Sequence, residues 1–117
     1  MKLKASVNLD GVEASTRHAM GVAEAVCLIY AGRYVVVTSA HDSHELNPLS
    51  LHNPGRACDM RTRDLPPLVK PQIVHKLKDI LEPLGYDAVF ENEGQPNEHL
   101  HVEYDPKDSE SFYQRLP

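Results

Sequence analysis

The run Tyr34-Val35-Val36-Val37-Thr38 restricts the fold more than any other stretch of the chain. It is β-branched from Val35 to Thr38 and too apolar for an edge, so it belongs in the middle of a sheet. Before it, from about Ser15 to Ala31, the pattern is helical. Val12, Met20, Ala23, Cys27 and Tyr30 form one apolar stripe. Asp10 or Ser15 is positioned to cap its start, and Gly32 follows its end as a C′ glycine should. Arg17 and His18 fall off the stripe and read as solvent-facing. Residues 1–10, with Leu3, Val7 and Leu9 alternating, are either an edge strand or a segment packed down on the sheet.

After the strand comes a long irregular segment, Ser39 to Pro67, rich in His, Asn, Pro, Arg and Asp. A loop of that length inside a small domain is usually either functional or disordered, and the special residues concentrated here favour function. A second helix is expected from Leu68 to about Pro83, with Pro71 in its first turn. Ile73, Val74, Leu77, Ile80, Leu81 and Leu84 would be its buried face, His75 would sit on the solvent side, and Gly85 would end it. Tyr86–Glu91 and His99–Tyr104 read as a hairpin around Gly94 and Pro96, and Ser109–Arg115 as a short terminal helix. Strands do not alternate regularly with crossovers, so the expected class is α+β: a small, mostly antiparallel sheet with helices packed on it. A chain of 117 residues allows one domain, 1–117, with a real core.

Net charge is −5 with Lys and Arg scattered, which excludes the basic stripe of a nucleic-acid binder. No stretch reaches the ~18 apolar residues of a membrane span. The N-terminus lacks the apolar core of a signal peptide, so the chain is expected to be cytoplasmic on synthesis. Two cysteines, Cys27 and Cys58, make no disulfide framework. Cys27 reads as a small core residue. Cys58 reads as a half-buried filler, with metal ligation as its alternative.

The chemistry concentrates in Ser50–Asp59 and Glu98–His101. His52 and Asp59 are seven apart with the small residues Gly55 and Ala57 between them, which lets the backbone draw in and both side chains converge. Imidazole and carboxylate are zinc ligands at about 2.0–2.2 Å. In a strand, residues two apart share a face, so His99, His101 and Glu103 point one way while Leu100 and Val102 point into the core. That makes His101 a ligand candidate with His99 as rival, and Glu103 an orienting or exposed residue. Two His and one Asp leave a fourth position open, the catalytic rather than the structural zinc arrangement. By the same parity Glu98 falls on the opposite face unless the strand begins after it; an irregular backbone after Pro96-Asn97 would turn its carboxylate toward the metal and make it the candidate general base. The deduced chemistry is metal-assisted hydrolysis of an amide, with one zinc ion.

The pattern Ser50-x-His52-x-x-Gly55-x-Ala57-x-Asp59 followed by Glu98-x-x-His101 resembles the zinc D-alanyl-D-alanine carboxypeptidase and dipeptidase family, which shares its fold with the hedgehog signalling domain. The resemblance is closest to small single-domain phage and bacterial forms and covers roughly residues 34–105. It implies zinc bound by His52, Asp59 and His101, Glu98 as catalytic base, Ser50 helping to hold the site, and peptidoglycan stem peptides as substrate. A phage lysis enzyme acting at the wall after release is the implied setting, with a monomer as the simplest state. One position departs. Many members carry Ser-Gly-Tyr-Arg after the central strand, where this chain has Ser39-Ala40-His41-Asp42, so Asp42 stands in place of the substrate-binding arginine. His41, Arg56 and Arg61 are the candidates to replace it, and His99 is a further candidate substrate contact. His41 and His44 are also placed to line the cleft. A non-catalytic zinc-containing binding module, and a zinc hydrolase on another amide, are the competing readings.

Overall fold

The computed structural model describes residues 1–40 and 55–106; the expected terminal helix at Ser109–Arg115 lies outside them. Helix α1 spans Ala14–Ala31 and buries Thr16, Ala19, Met20, Ala23, Val26 and Cys27, one face at helical spacing. Gly32 ends it in the left-handed region (φ 63°), and the N–H groups of Gly32 and Arg33 return to the carbonyls of Leu28 and Cys27. Its start differs from the sequence expectation. Neither Asp10 nor Ser15 caps it: Glu13 is the N-cap residue with no side-chain cap, and Ser15 falls inside the first turn.

Among the described residues five strands form one sheet in the order β1-β2-β3-β5-β4: β1 Lys2–Leu3, β2 Val36–Ala40, β3 Ala57–Arg61, β4 Tyr86–Glu91 and β5 His99–Tyr104. Of these described pairs only β1–β2 is parallel, joined through α1; the rest are antiparallel. The molecule is thus α+β, with a mostly antiparallel sheet. The apolar run does lie inside the sheet, flanked by β1 and β3, although its paired residues begin two positions later than Tyr34.

The long irregular segment needs a larger correction. It contains a strand, β3, in the middle of the sheet. Cys58 and Met60 alternate inward while Asp59 and Arg61 alternate outward, a period of two that the surrounding Pro, Gly and charged residues conceal. A bulge between Val37 and Ser39 lets Val37 and Ala40, three apart, both reach the buried side opposite Met60 and Cys58. It also leaves Ser39 paired with Asp59.

Helix α2 covers Lys70–Leu81, with Pro71 in its first turn and Ile73, Val74, Leu77 and Leu81 buried. A 3₁₀ turn, Glu82–Leu84, follows, and Gly85 (φ 98°) closes it. This tightening turns Leu84 out to solvent, against expectation. His75 is exposed, as its helix position predicted, 3.4 Å from Asp79 one turn on. The two helices and the inward residues Cys58, Met60, Ala88, Leu100 and Val102 make one hydrophobic cluster. Among the described residues no helix is long and apolar enough to cross a membrane.

Candidate metal centre

With one face of the sheet given to the core, the alternate residues of β3, β4 and β5 face the other way. Register puts Asp59 of β3 directly opposite His101 of β5, and Glu91 of β4 directly opposite His99. The result is a row of carboxylates and imidazoles across three strands. Asp59 Oδ1 lies 2.7 Å from His101 Nδ1, and Glu103 Oε1 lies 3.1 Å from His101 Nε2. His99 donates from Nδ1 to the Asn97 carbonyl at 2.8 Å, while its Nε2 lies 3.2 Å from Glu91 Oε1 and 3.7 Å from Asp59 Oδ1.

The ring of His101 is therefore gripped at both nitrogens. Hydrogen bonding to Asp59 lifts it well above the ordinary histidine value, burial works against the lift, and Glu103 adds to it, leaving it at about 9. At 2.7 Å the two atoms share a proton; a zinc ion bonded to both would hold them farther apart. A carboxylate on the far nitrogen is the outer-shell arrangement that orients metal-ligating histidines.

Glu98 ends the turn before β5 and is almost fully buried, at 4% exposed. Its Oε1 accepts from Thr62 Oγ1 at 2.7 Å and meets Lys70 Nζ at 2.8 Å; its Oε2 accepts from the Gly94 N–H at 2.8 Å. Burial alone would raise its pKa, but the hydrogen bonds from Lys70, Gly94 and Thr62, with the Lys70 charge, outweigh it and hold the carboxyl below the usual range.

Asp59, His99 and Glu98 share the wall of a cavity of about 520 Å³, with Lys4, Thr38 and Arg61 also lining it. Arg61 Nη1 lies 3.5 Å from Asp64. Arg56 turns elsewhere: its Nε lies 3.3 Å from Glu13 Oε2. Cys58 belongs to the core face and is fully rather than half buried. Burial first, and the Asp59 charge second, push its thiol up to about 12, the behaviour of an inert core cysteine rather than a thiolate ligand. His41, Ser50 and His52 lie outside the described residues. Among those described, the mixed group Asp59, Glu91 and His99 brings one ligand atom each within 4.8 Å of one another and could hold a metal ion; Asp87, Glu103 and Asp105 form a second, purely acidic group.

Sequence reading missed Glu91, Thr62 and Lys70. Hairpin register could have supplied Glu91, since pairing the two strands about their turn sets it against His99. Nothing local marks Lys70 or Thr62, which reach Glu98 only through the packing of α2 and the segment after β3. Comparison of the chain with family models, curated proteins and solved structures returns no match.

Proposed function

We propose that the chain is a zinc-dependent peptidase of the hedgehog/DD-peptidase fold that hydrolyses amide bonds of peptidoglycan stem peptides. The observation that supports this is the pairing of Asp59 Oδ1 with His101 Nδ1 at 2.7 Å, with Glu103 on the far nitrogen. Two of the three ligand positions implied by the sequence motif thus face each other across adjacent strands, with the outer shell in place. A zinc ion held there by Asp59, His101 and His52 would polarise the scissile carbonyl and acidify water. Glu103 fixes the His101 ring so that Nδ1 is the nitrogen presented. Glu98 would accept a proton from the attacking water and return it to the leaving amine, which requires one of its oxygens to exchange its Lys70, Thr62 or Gly94 partner. Lys4 and Arg61, on the cavity wall beside Asp59, supply positive charge for a substrate carboxylate in place of the family's arginine. The peptidoglycan substrate and the phage-lysis setting rest on the motif resemblance alone.

One observation favours a second reading. Both Glu98 oxygens are already engaged and its carboxyl is held in the weakly basic range, as suits a zinc-containing module that binds a peptide without cleaving it. The test is mass spectrometry of purified muropeptides incubated with zinc-loaded protein. A peptidase shortens or cleaves the stem peptide, and His52→Ala and Glu98→Gln each cut the rate at least ~100-fold. Hydrolysis that survives Glu98→Gln contradicts the assigned base, and full zinc occupancy with intact muropeptides selects the binding module.

A further inference from the structure

We infer that Asp59, Glu91 and His99 form a second divalent-cation site on the open face of the sheet, sharing Asp59 with the His101 site. The case starts at Asn97. Its carbonyl oxygen can only accept a hydrogen bond, so the His99 nitrogen 2.8 Å away, Nδ1, carries a proton. In the neutral ring Nε2 then bears the lone pair, and it is this nitrogen that points at Glu91 Oε1, 3.2 Å away, and at Asp59 Oδ1, 3.7 Å away. An imidazole nitrogen and two carboxylates bring one ligand atom each within 4.8 Å of one another, a spacing that a cation can bridge. A backbone carbonyl that fixes the tautomer and aims the other nitrogen is the usual support of a ligating histidine.

The elements that hold these residues are regular. Glu91 and His99 are cross-strand partners at the turn end of the β4–β5 hairpin, and Asp59 lies one strand further in. His99 and Asp59 keep 18% and 27% of their side-chain surface and Glu91 keeps 44%, so waters can complete the coordination. One nitrogen and two carboxylate oxygens suit a borderline first-row ion, Zn²⁺ or Mn²⁺, better than an all-oxygen ion such as Ca²⁺. The site does not depend on His101.

The experiment is calorimetric titration of the metal-free full chain with Zn²⁺, comparing wild type with Glu91→Gln, His99→Gln and His101→Ala. Wild type is expected to take two ions. Glu91→Gln and His99→Gln each weaken one of them at least ~10-fold and spare the other, which His101→Ala removes. A single ion weakened by Glu91→Gln and His99→Gln but untouched by His101→Ala also upholds this site, and the His101-centred reading falls instead. Zinc binding unchanged in number and affinity by both Glu91→Gln and His99→Gln overturns the inference: His99 is then an imidazolium bonded to Glu91. Glu91 is an exposed side chain at a strand end, and melting of the metal-free variants at the wild-type temperature shows that a lost ion is a lost ligand. A metal-free variant that melts earlier, with zinc binding lost together with the fold, assigns Glu91 a structural role and also overturns it.

Discussion

At the scale of the residue, Glu98 is the side chain whose surroundings matter most. It is buried, yet it remains a carboxylate because Lys70, Thr62 and the Gly94 N–H all meet it. Its pKa is lower in the folded chain than in the unfolded one. The unfolded state therefore takes up the proton first as pH falls. The stabilisation is present above the ordinary carboxylate pKa of about 4.3 and is lost as pH drops through the folded value. Acid titration of stability by denaturant melts should show a steeper loss below about pH 4 in wild type than in Glu98→Gln. Equal slopes would mean that Glu98 is not the group responsible. Lys70→Met leaves the carboxylate without its cation and should cost roughly 1–3 kcal/mol at pH 7; an unchanged melt would contradict the pairing.

At the scale of the element, the site depends on how β3 is entered. Gly55, just before it, has φ 92°, and a Cβ there would collide with the Gly11 carbonyl oxygen. Its own carbonyl is held by the Glu13 N–H at 3.0 Å and by Thr16 Oγ1 at 2.6 Å. These bonds tie the start of α1 to the strand that carries Asp59, and Arg56 adds its pairing with Glu13. Gly55→Ala should therefore destabilise the chain by about 1–3 kcal/mol and weaken zinc binding with it, measured by thermal melting and metal titration. A variant that melts like wild type would show that this turn does not brace the site. The same elements show what was legible. Gly55 makes a close backbone approach, to Gly11; the convergence of His52 and Asp59 expected from the small residues falls partly outside the described residues. The hairpin and both helices were readable from apolar periodicity within a residue or two. β3 was not, because a five-residue strand framed by Gly-Arg and Thr-Arg-Asp looks like loop, and its place between β2 and β5 is set by pairing across distant sequence.

At the scale of the whole molecule, the sheet separates two tasks. One face is spent on the core with α1 and α2. The other carries the row Glu91, His99, Asp59, His101, Glu103, assembled from three strands by antiparallel register. Parity along β5 was enough to expect His99 and His101 on the site side. It could not reveal that Asp59 would lie opposite His101, because that follows from which strand neighbours which. Nor could it show that Lys70 would come from α2 to meet Glu98. The proposal of a zinc-dependent peptidase rests on this face acting as one unit in the full chain. The most direct measurement is the rate of muropeptide cleavage as zinc is stripped by a chelator and then restored. A metal centre at Asp59 and His101 predicts cleavage by the loaded protein, none by the stripped protein, and recovery on adding zinc back. Cleavage that continues undiminished after stripping, or none at full zinc occupancy, would contradict it.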